Sequence, residues 1–212
     1  YLRNNPESRF FSKKGLILGG SHSPSPLNSE AHQGDLSAVL LQNLNPLVNL
    51  IRVPKKPIIL MDEWESKIKA IVENTWNKDV NSLSGVPSWM LVLIKAVLKK
   101  TGREYLTDVW PNLEVFFHGG ISFEPYREQY KTLIPSNKMH YMETYNASEG
   151  FFGLQDDPTD SSLLMMPDYG IFYEFIPMNE VGSAHRDGDH DLGRIMALSD
   201  RGYGTFHLVI PS

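Results

Sequence analysis

Apolar and polar positions along the chain fall into two recurring patterns. Short apolar runs that end in glycines or polar residues are typical of buried strands. Such runs are GLILGG at 15–20, VNSLSG at 80–85, LEVFFHGG at 113–120 and KMHYMETY at 138–145. A further run, SSLLMMPDYGIFYEFIPM at 161–178, predicts two strands joined by residues 167–170. The runs together predict the strands of a sheet.

Longer stretches between these runs carry apolar residues at helical spacing. They are residues 62–76, 87–102 and 123–134. Asp62 and Glu65 match a capping box at the start of the first stretch. The second opens with a proline in its first turn and closes with lysines and Gly102, as helices do. Each stretch therefore predicts a helix.

Strands and helices alternate through most of the chain, and this order is typical of α/β proteins. We therefore predict a mostly parallel sheet with flanking helices. The paired run at 161–178 predicts an antiparallel addition near the end of the sheet.

Composition narrows the function classes. The hydrophobic content of 41% in 212 residues can form one good-sized core. A formal net charge of -5 offers no basic surface for a phosphate backbone, so nucleic acid is excluded as an expected partner. The chain has no cysteine, which excludes disulfides and fits a cytoplasmic protein. Its most apolar run, WMLVLIKAVL, is too short to span a bilayer.

Candidate chemistry follows three successive predicted strands, in the loops SLSGVPSW, FFHGGISFEPY and TYNASEGFF. Ligands of parallel sheets bind at the carboxyl ends of strands, where such loops gather. Gly119 and Gly120 have no Cβ, so main chain can approach a planar ring. Tyr145 could stack on a base, Ser148 could donate to a phosphate, and Glu149 could bind magnesium. These residue types favour a nucleotide site.

Simpler interpretations of the same residues stay open. A glycine pair after a strand is also typical of an ordinary turn. Trp89 and Phe116 fit a core better than a substrate contact. The histidines at 22, 32 and 118 lack partners at metal-ligand spacing, so we interpret them as structural or surface residues.

Several long blocks resemble the plant auxin-responsive Gretchen-Hagen-3 family of acyl acid amido synthetases, and more closely its bacterial members. The likeness covers residues 1–184. Its blocks are GLILGGSHSPSPLN, GDLSAVLLQNL, LSGVPSWM, PNLEVFFHGGISFEPY, METYNASEGFFGLQDD and YGIFYEFIPM. The resemblance implies the central part of the large domain of an adenylate-forming enzyme. Such enzymes activate a small carboxylic acid with ATP, and this family then transfers the acyl group to an amine such as an amino acid.

The resemblance also implies a role for individual residues. The adenine and ribose would lie against Gly119, Gly120, Ile121 and Ser122. Tyr145 would stack on adenine, and the phosphate side of AMP would be lined by Asn146, Ala147 and Ser148. Glu149 would be the carboxylate linked to Mg²⁺. The acyl pocket would be bordered by Val86, Pro87 and Trp89.

The tail departs from the family. After EFIPM the family continues towards a segment like GLWRYQIGDTVRF, whereas this chain reads GRIMALSDRGYGTFHLVIPS. Permitted codons for residues 193–203, read one base out of frame, translate as AGLWRYQIGD. We therefore predict the central portion of the large adenylation domain, without its phosphate loop, over residues 1–184 and an out-of-frame tail over 185–212. The cluster HRDGDHD at 185–191 also permits a metal-site interpretation, which the predicted frameshift disfavours.

The family's phosphate loop would precede residue 1, and its closing domain would follow the tail. With both missing from this sequence, we expect the chain on its own to be inactive. The alternative is a non-catalytic interaction module that self-associates through exposed apolar surface.

Overall fold

The computed structural model describes residues 1–24, 32–147, 150–160, 162–171, 173–177, 192–200 and 204–211. The strands within these ranges are β1 Lys14–Leu18, β2 His22–Pro24, β3 His32–Gly34, β4 Arg52–Val53, β5 Val80–Gly85, β6 Val115–Gly119, β7 His140–Ala147, β8 Gly150–Leu154, β9 Leu164–Met165, β10 Glu174–Pro177, β11 Leu192–Asp200 and β12 Gly204–Pro211. The helices are α1 Leu36–Gln42, α2 Val48–Ile51, α3 Lys56–Ile59, α4 Trp64–Thr75, α5 Pro87–Thr101, α6 Leu106–Val109 and α7 Arg127–Leu133. Short 3-10 helices occupy Phe10–Ser12 and Glu124–Tyr126.

The main sheet has the strand order β4-β1-β5-β6-β7-β8-β9. Its first five strands in this order pair in parallel. The strands β8 and β9 then add in antiparallel orientation. The prediction of a mostly parallel α/β sheet with an antiparallel addition is therefore confirmed.

Helices α4 and α5 supply much of the core that covers this sheet. Helix α5 buries Met90, Leu93, Ile94 and Val97 in the same cluster as Leu83 and Phe116 of the strands. It ends at Gly102, whose φ of +65° is the left-handed conformation that closes many helices. The predicted helix is thus confirmed with its terminal glycine.

The cap of α4 differs from the predicted capping box. Glu63, not Asp62, occupies the N-cap position, and its carboxylate accepts hydrogen bonds from the amides of Glu65 and Ser66. Glutamate is an unusual N-cap because its longer side chain must curl back towards the helix. The capping prediction was therefore wrong by one residue.

The two strands predicted in 161–178 are present as β9 and β10, but they belong to different sheets. Strand β10 pairs with β12, which in turn pairs with β11. The cluster at 185–191 lies outside the described residues. The predicted change of reading frame concerns the coding sequence and stays a prediction.

Candidate functional site

A cavity of about 580 Å³ opens at the carboxyl ends of β1, β5, β6 and β7. The ends of these adjacent parallel strands form its floor, and α1 and the first turn of α5 contribute side chains to its walls. This is the edge of an α/β sheet at which ligands are expected to bind.

The cavity brings together many of the residues predicted for the site. Those that line it are Val86, Trp89, Gly119, Gly120, Asn146 and Ala147. Other predicted residues are described by the structure but are not among the lining residues, namely Pro87, Ile121, Ser122 and Tyr145. Ser148 and Glu149 lie outside the described residues.

The glycine pair after β6 is required by its surroundings. A Cβ on Gly119 would lie 2.3 Å from the carbonyl oxygen of Thr144 on the neighbouring strand. Gly120 adopts a φ of +82°, which is strained for residues with a side chain. The turn thus keeps bare main chain at the cavity wall.

Tyr145 is turned towards a small apolar cluster. Its ring centroid lies 5.3 Å from that of Phe152, and Ile171 and Tyr173 pack against the same cluster. The register of β7 against β8 shifts between Tyr145 and Asn146, and such bulges redirect side chains. Stacking of Tyr145 on adenine stays a prediction.

A second glycine pair, after β1, lines the opposite side of the cavity. A Cβ on Gly19 would lie 2.6 Å from Leu41 Cδ1, and one on Gly20 would lie 2.0 Å from Asp35 Oδ2. Sequence reasoning did not assign these glycines to the site. The available signal was the repeat of one pattern, since LILGGS and FFHGGIS both place two glycines and a nearby serine after a strand.

Side chains from two helical segments hold the turn after β1, which we call the β1 turn (residues 19–21). Lys67 Nζ on α4 donates to the carbonyl oxygens of Gly19 and Gly20, at 2.8 and 3.0 Å. The amide of Gly20 donates to Ser37 Oγ at 2.8 Å, and the amide of Ser21 donates to Asp35 Oδ2 at 3.1 Å. The carbonyl oxygens and the amides of the β1 turn are therefore both held by side-chain hydrogen bonds.

Lys67 is the least expected member of this arrangement. It is 2% exposed although it lies on a helix whose other charged residues face solvent. Burial lowers the pKa of its ammonium, and the negative charges of Asp35 and Asp62 act in the opposite direction. Its hydrogen bonds to main-chain carbonyls supply the polar partners that a buried ammonium needs.

His118 precedes the β6 glycine pair and is 3% exposed. Its ring stacks on Phe123, with the centroids 4.2 Å apart. Burial, reinforced by the positive charge of Arg127, lowers the pKa of His118 to about 4. The imidazole is therefore neutral near pH 7, and the interpretation of His118 as a structural residue agrees with this stacking.

The two aromatic residues interpreted as core have different surroundings. Phe116 is fully buried in the main cluster. Trp89 instead lines the cavity and contacts Trp64, with the ring centroids 5.6 Å apart. The site therefore contains an exposed indole.

Two kinds of feature are absent from the part of the chain that the structure describes. The described residues contain no group of three or more His, Cys, Asp or Glu side chains that could hold a metal ion. No helix among them combines the length and apolar character needed to cross a membrane.

Comparison with known proteins identifies the family. The model of the GH3 family N-terminal domain matches residues 4–139. No curated protein matches the sequence. A solved structure of a GH3.15 acyl acid amido synthetase superposes with a TM-score of 0.60 at 14% sequence identity, so the two share a fold. The match covers 80% of this chain and 40% of that chain. Because the family model spans more than half of the sequence, the chain belongs to the GH3 family, the family that its sequence blocks resemble.

Proposed function

We propose that the chain forms part of an ATP-dependent acyl acid amido synthetase. A substrate carboxylate would attack the α-phosphorus of ATP, forming an acyl-AMP and releasing pyrophosphate. An amine such as an amino acid would then attack the acyl carbon, lose a proton and displace AMP to leave an amide. The observation that carries this proposal is the cavity where the glycine-lined ends of β1 and β6 meet the end of β7.

The positions of the lining residues support different roles for different parts of the cavity. Main chain at Gly119 and Gly120 would lie against the flat base, since no side chain covers it. Asn146 and Ala147, at the end of the next strand, would border the phosphate. Val86 and Trp89 supply apolar surface for the acyl group.

The remaining assignments extend the proposal. Pro87, Ile121, Ser122, Tyr145 and Ser148 keep the roles that the family resemblance implies. Glu149 would bind Mg²⁺, which when bound withdraws charge from the triphosphate as pyrophosphate leaves. The cytoplasm, where ATP is plentiful, is the proposed location.

Calorimetry with ATP and Mg²⁺ tests the nucleotide site. We expect saturable binding in the millimolar range or tighter, and loss of this binding in Gly120→Val. Gly102→Val is a matched control, because Gly102 also has a positive φ, of +65°, but lies outside the cavity. Equal binding by both variants, or none by the parent chain, would contradict the proposal.

Acid-dependent release of pyrophosphate tests the reaction itself. Because this chain on its own is expected to be inactive, the assay uses a chain that also carries the family's phosphate loop and closing domain. We expect release to require ATP, a carboxylic acid and that chain together. Hydroxylamine added as a simple amine should trap the acyl group as a hydroxamate. Release that ignores the acid would indicate plain ATP hydrolysis and would argue against amide synthesis.

A non-catalytic interaction module is the second candidate function. The observation in its favour is a set of large apolar side chains that face solvent, Phe11, Leu47 and Leu50. Sedimentation across a concentration series distinguishes the candidates. Self-association that is indifferent to ATP supports the module, whereas a monomer at all concentrations argues against it.

A further inference from the structure

The cavity has two chemically different ends. Bare main chain at Gly119 and Gly120 and the amide group of Asn146 lie at the β6 and β7 end. Asp35 lies at the β1 end, and among the described lining residues it is the one with a carboxyl side chain. Strand β5 separates β1 from β6, so the two ends are two strand spacings apart, about 10 Å.

Most of the side chains between the two ends are apolar, although Ser37 and Ser84 also line the cavity. The apolar side chains include those of Leu40 and Leu41 of α1, Leu44 just beyond it, Val86 and Phe117. A ligand that spans the cavity would therefore need an apolar middle. It would also meet a carboxylate at one end.

The carboxylate of Asp35 is fixed in place but is not used by its own helix. Asp35 occupies the N-cap position of α1, yet its side chain makes no capping hydrogen bond. Oδ2 instead accepts from the amide of Ser21 and lies over Gly20, where a Cβ would come within 2.0 Å of it. The side chain is therefore held against the β1 turn by a hydrogen bond and by the space that Gly20 leaves.

Asp35 also keeps most of its capacity to accept hydrogen bonds. In the part of the chain that the structure describes, the amide of Ser21 is the one donor to its carboxylate, although a carboxylate can accept about four hydrogen bonds. Lys67 is the nearby cation, but its ammonium is bound to Gly19 and Gly20, and no salt bridge joins these side chains. An exposed carboxylate without a contacting cation is free to bind a ligand.

We propose that Asp35 determines acid specificity, and that the preferred acid carries a hydrogen-bond donor, such as a hydroxyl or amino group, at the end remote from its carboxyl. This inference rests on the proposed function, because it assumes that the cavity takes an acid. Binding of an acid without a donor would remove water from the carboxylate of Asp35 without replacing the lost hydrogen bonds. Such an unsatisfied polar group costs about 1–3 kcal/mol.

The same charge orients the acid. Asp35 repels the substrate's own carboxylate, so that group is directed away from the β1 end and towards Gly119, Gly120 and Asn146. This is the end at which the proposed function places AMP. The same orientation of the acid therefore favours both its binding and its reaction with ATP.

Two acids of similar shape test the inference: para-hydroxyphenylpropionate and para-methylphenylpropionate. Quenching of tryptophan fluorescence gives Kd for each acid without any turnover, since Trp89 lines the cavity. Pyrophosphate release, measured on a chain that also carries the family's phosphate loop and closing domain, gives kcat/KM for each acid. We expect a preference for the hydroxy acid of roughly tenfold or more. Asp35→Leu, which can accept no hydrogen bond, should abolish or reverse this preference.

Two further variants separate specificity from folding. Asp35→Asn keeps an oxygen for the amide of Ser21 and should retain the fold while reducing the preference. Asp62→Asn is the matched control, because Asp62 also acts electrostatically on Lys67 but does not line the cavity. It should leave the ratio between the two acids unchanged.

The outcomes distinguish failure of the inference from failure of the proposed function. Equal kcat/KM and Kd for both acids, or a preference that persists in Asp35→Leu, overturns the role of Asp35. Fluorescence that shows the expected preference without any pyrophosphate release supports the role of Asp35 and contradicts the proposed reaction. Absence of binding by either acid overturns the inference.

Discussion

The two glycine turns of the cavity share a sequence pattern but are stabilised differently. The turn after β6 depends on main-chain geometry, through the close approach of Gly119 to Thr144 and the positive φ of Gly120. The β1 turn has no positive φ and is held by side chains of Lys67, Ser37 and Asp35. The same glycine-pair pattern can therefore form turns that are stabilised by unrelated interactions.

Gly119→Ala should have the largest effect and tests the main-chain half of this comparison. The new Cβ would meet a backbone oxygen at 2.3 Å, so β6 and β7 would have to separate. We expect a loss of about 3 kcal/mol in the free energy of unfolding, measured in urea. Gly102→Ala, with nothing within 4 Å of its Cβ, should lose about 1 kcal/mol. Equal losses would show that packing against Thr144 is unimportant.

Lowering the pH should destabilise the protein through His118, which lies in β6. Its pKa falls from 6.5 in the unfolded chain to about 4 in the folded chain, so the unfolded state binds more protons between these values. Stability should therefore decline as pH is lowered from about 6.5 to 4, by about 3 kcal/mol from this residue. His118→Phe keeps a ring against Phe123 and should flatten this part of the pH profile. If stability depended on pH in the same way in that variant, other titrating groups would be the cause of the sensitivity to acid.

Lys67→Met tests the side-chain half of the comparison. Methionine keeps an apolar stem but leaves the carbonyl oxygens of Gly19 and Gly20 without their donor. We expect unfolding free energy to fall by about 2 kcal/mol. Lys69→Met, an exposed lysine on the same helix, should change stability by less than about 0.5 kcal/mol. A loss in the control as large as in Lys67→Met would point to helix propensity as the cause.

The strands, the main helices and the edge of the sheet that carries the cavity could be predicted from the sequence. Apolar periodicity is local and strong in this chain, and parallel strands place successive loops on one edge. This is why Val86, Gly119 and Asn146, far apart in sequence, were expected in one site and line one cavity.

What escaped prediction depends on contacts between distant segments. Lys67 follows Gly19 by 48 residues and looks like any lysine of an amphipathic helix. The register shift beside Tyr145 comes from pairing with β8, which the residues of β7 do not specify alone. Glu63 could not be recognised as a cap because its side chain is not a common one at that position.

The amides of Gly20 and Ser21 have a consequence for observing the molecule in solution. Both protons are bonded to side chains at the start of α1 and take no part in the ladder between strands. Their exchange with deuterium would report the opening of that helix from the sheet rather than unfolding of the sheet. Comparing their exchange rates with those of amides inside the sheet would separate opening of the cavity from global unfolding.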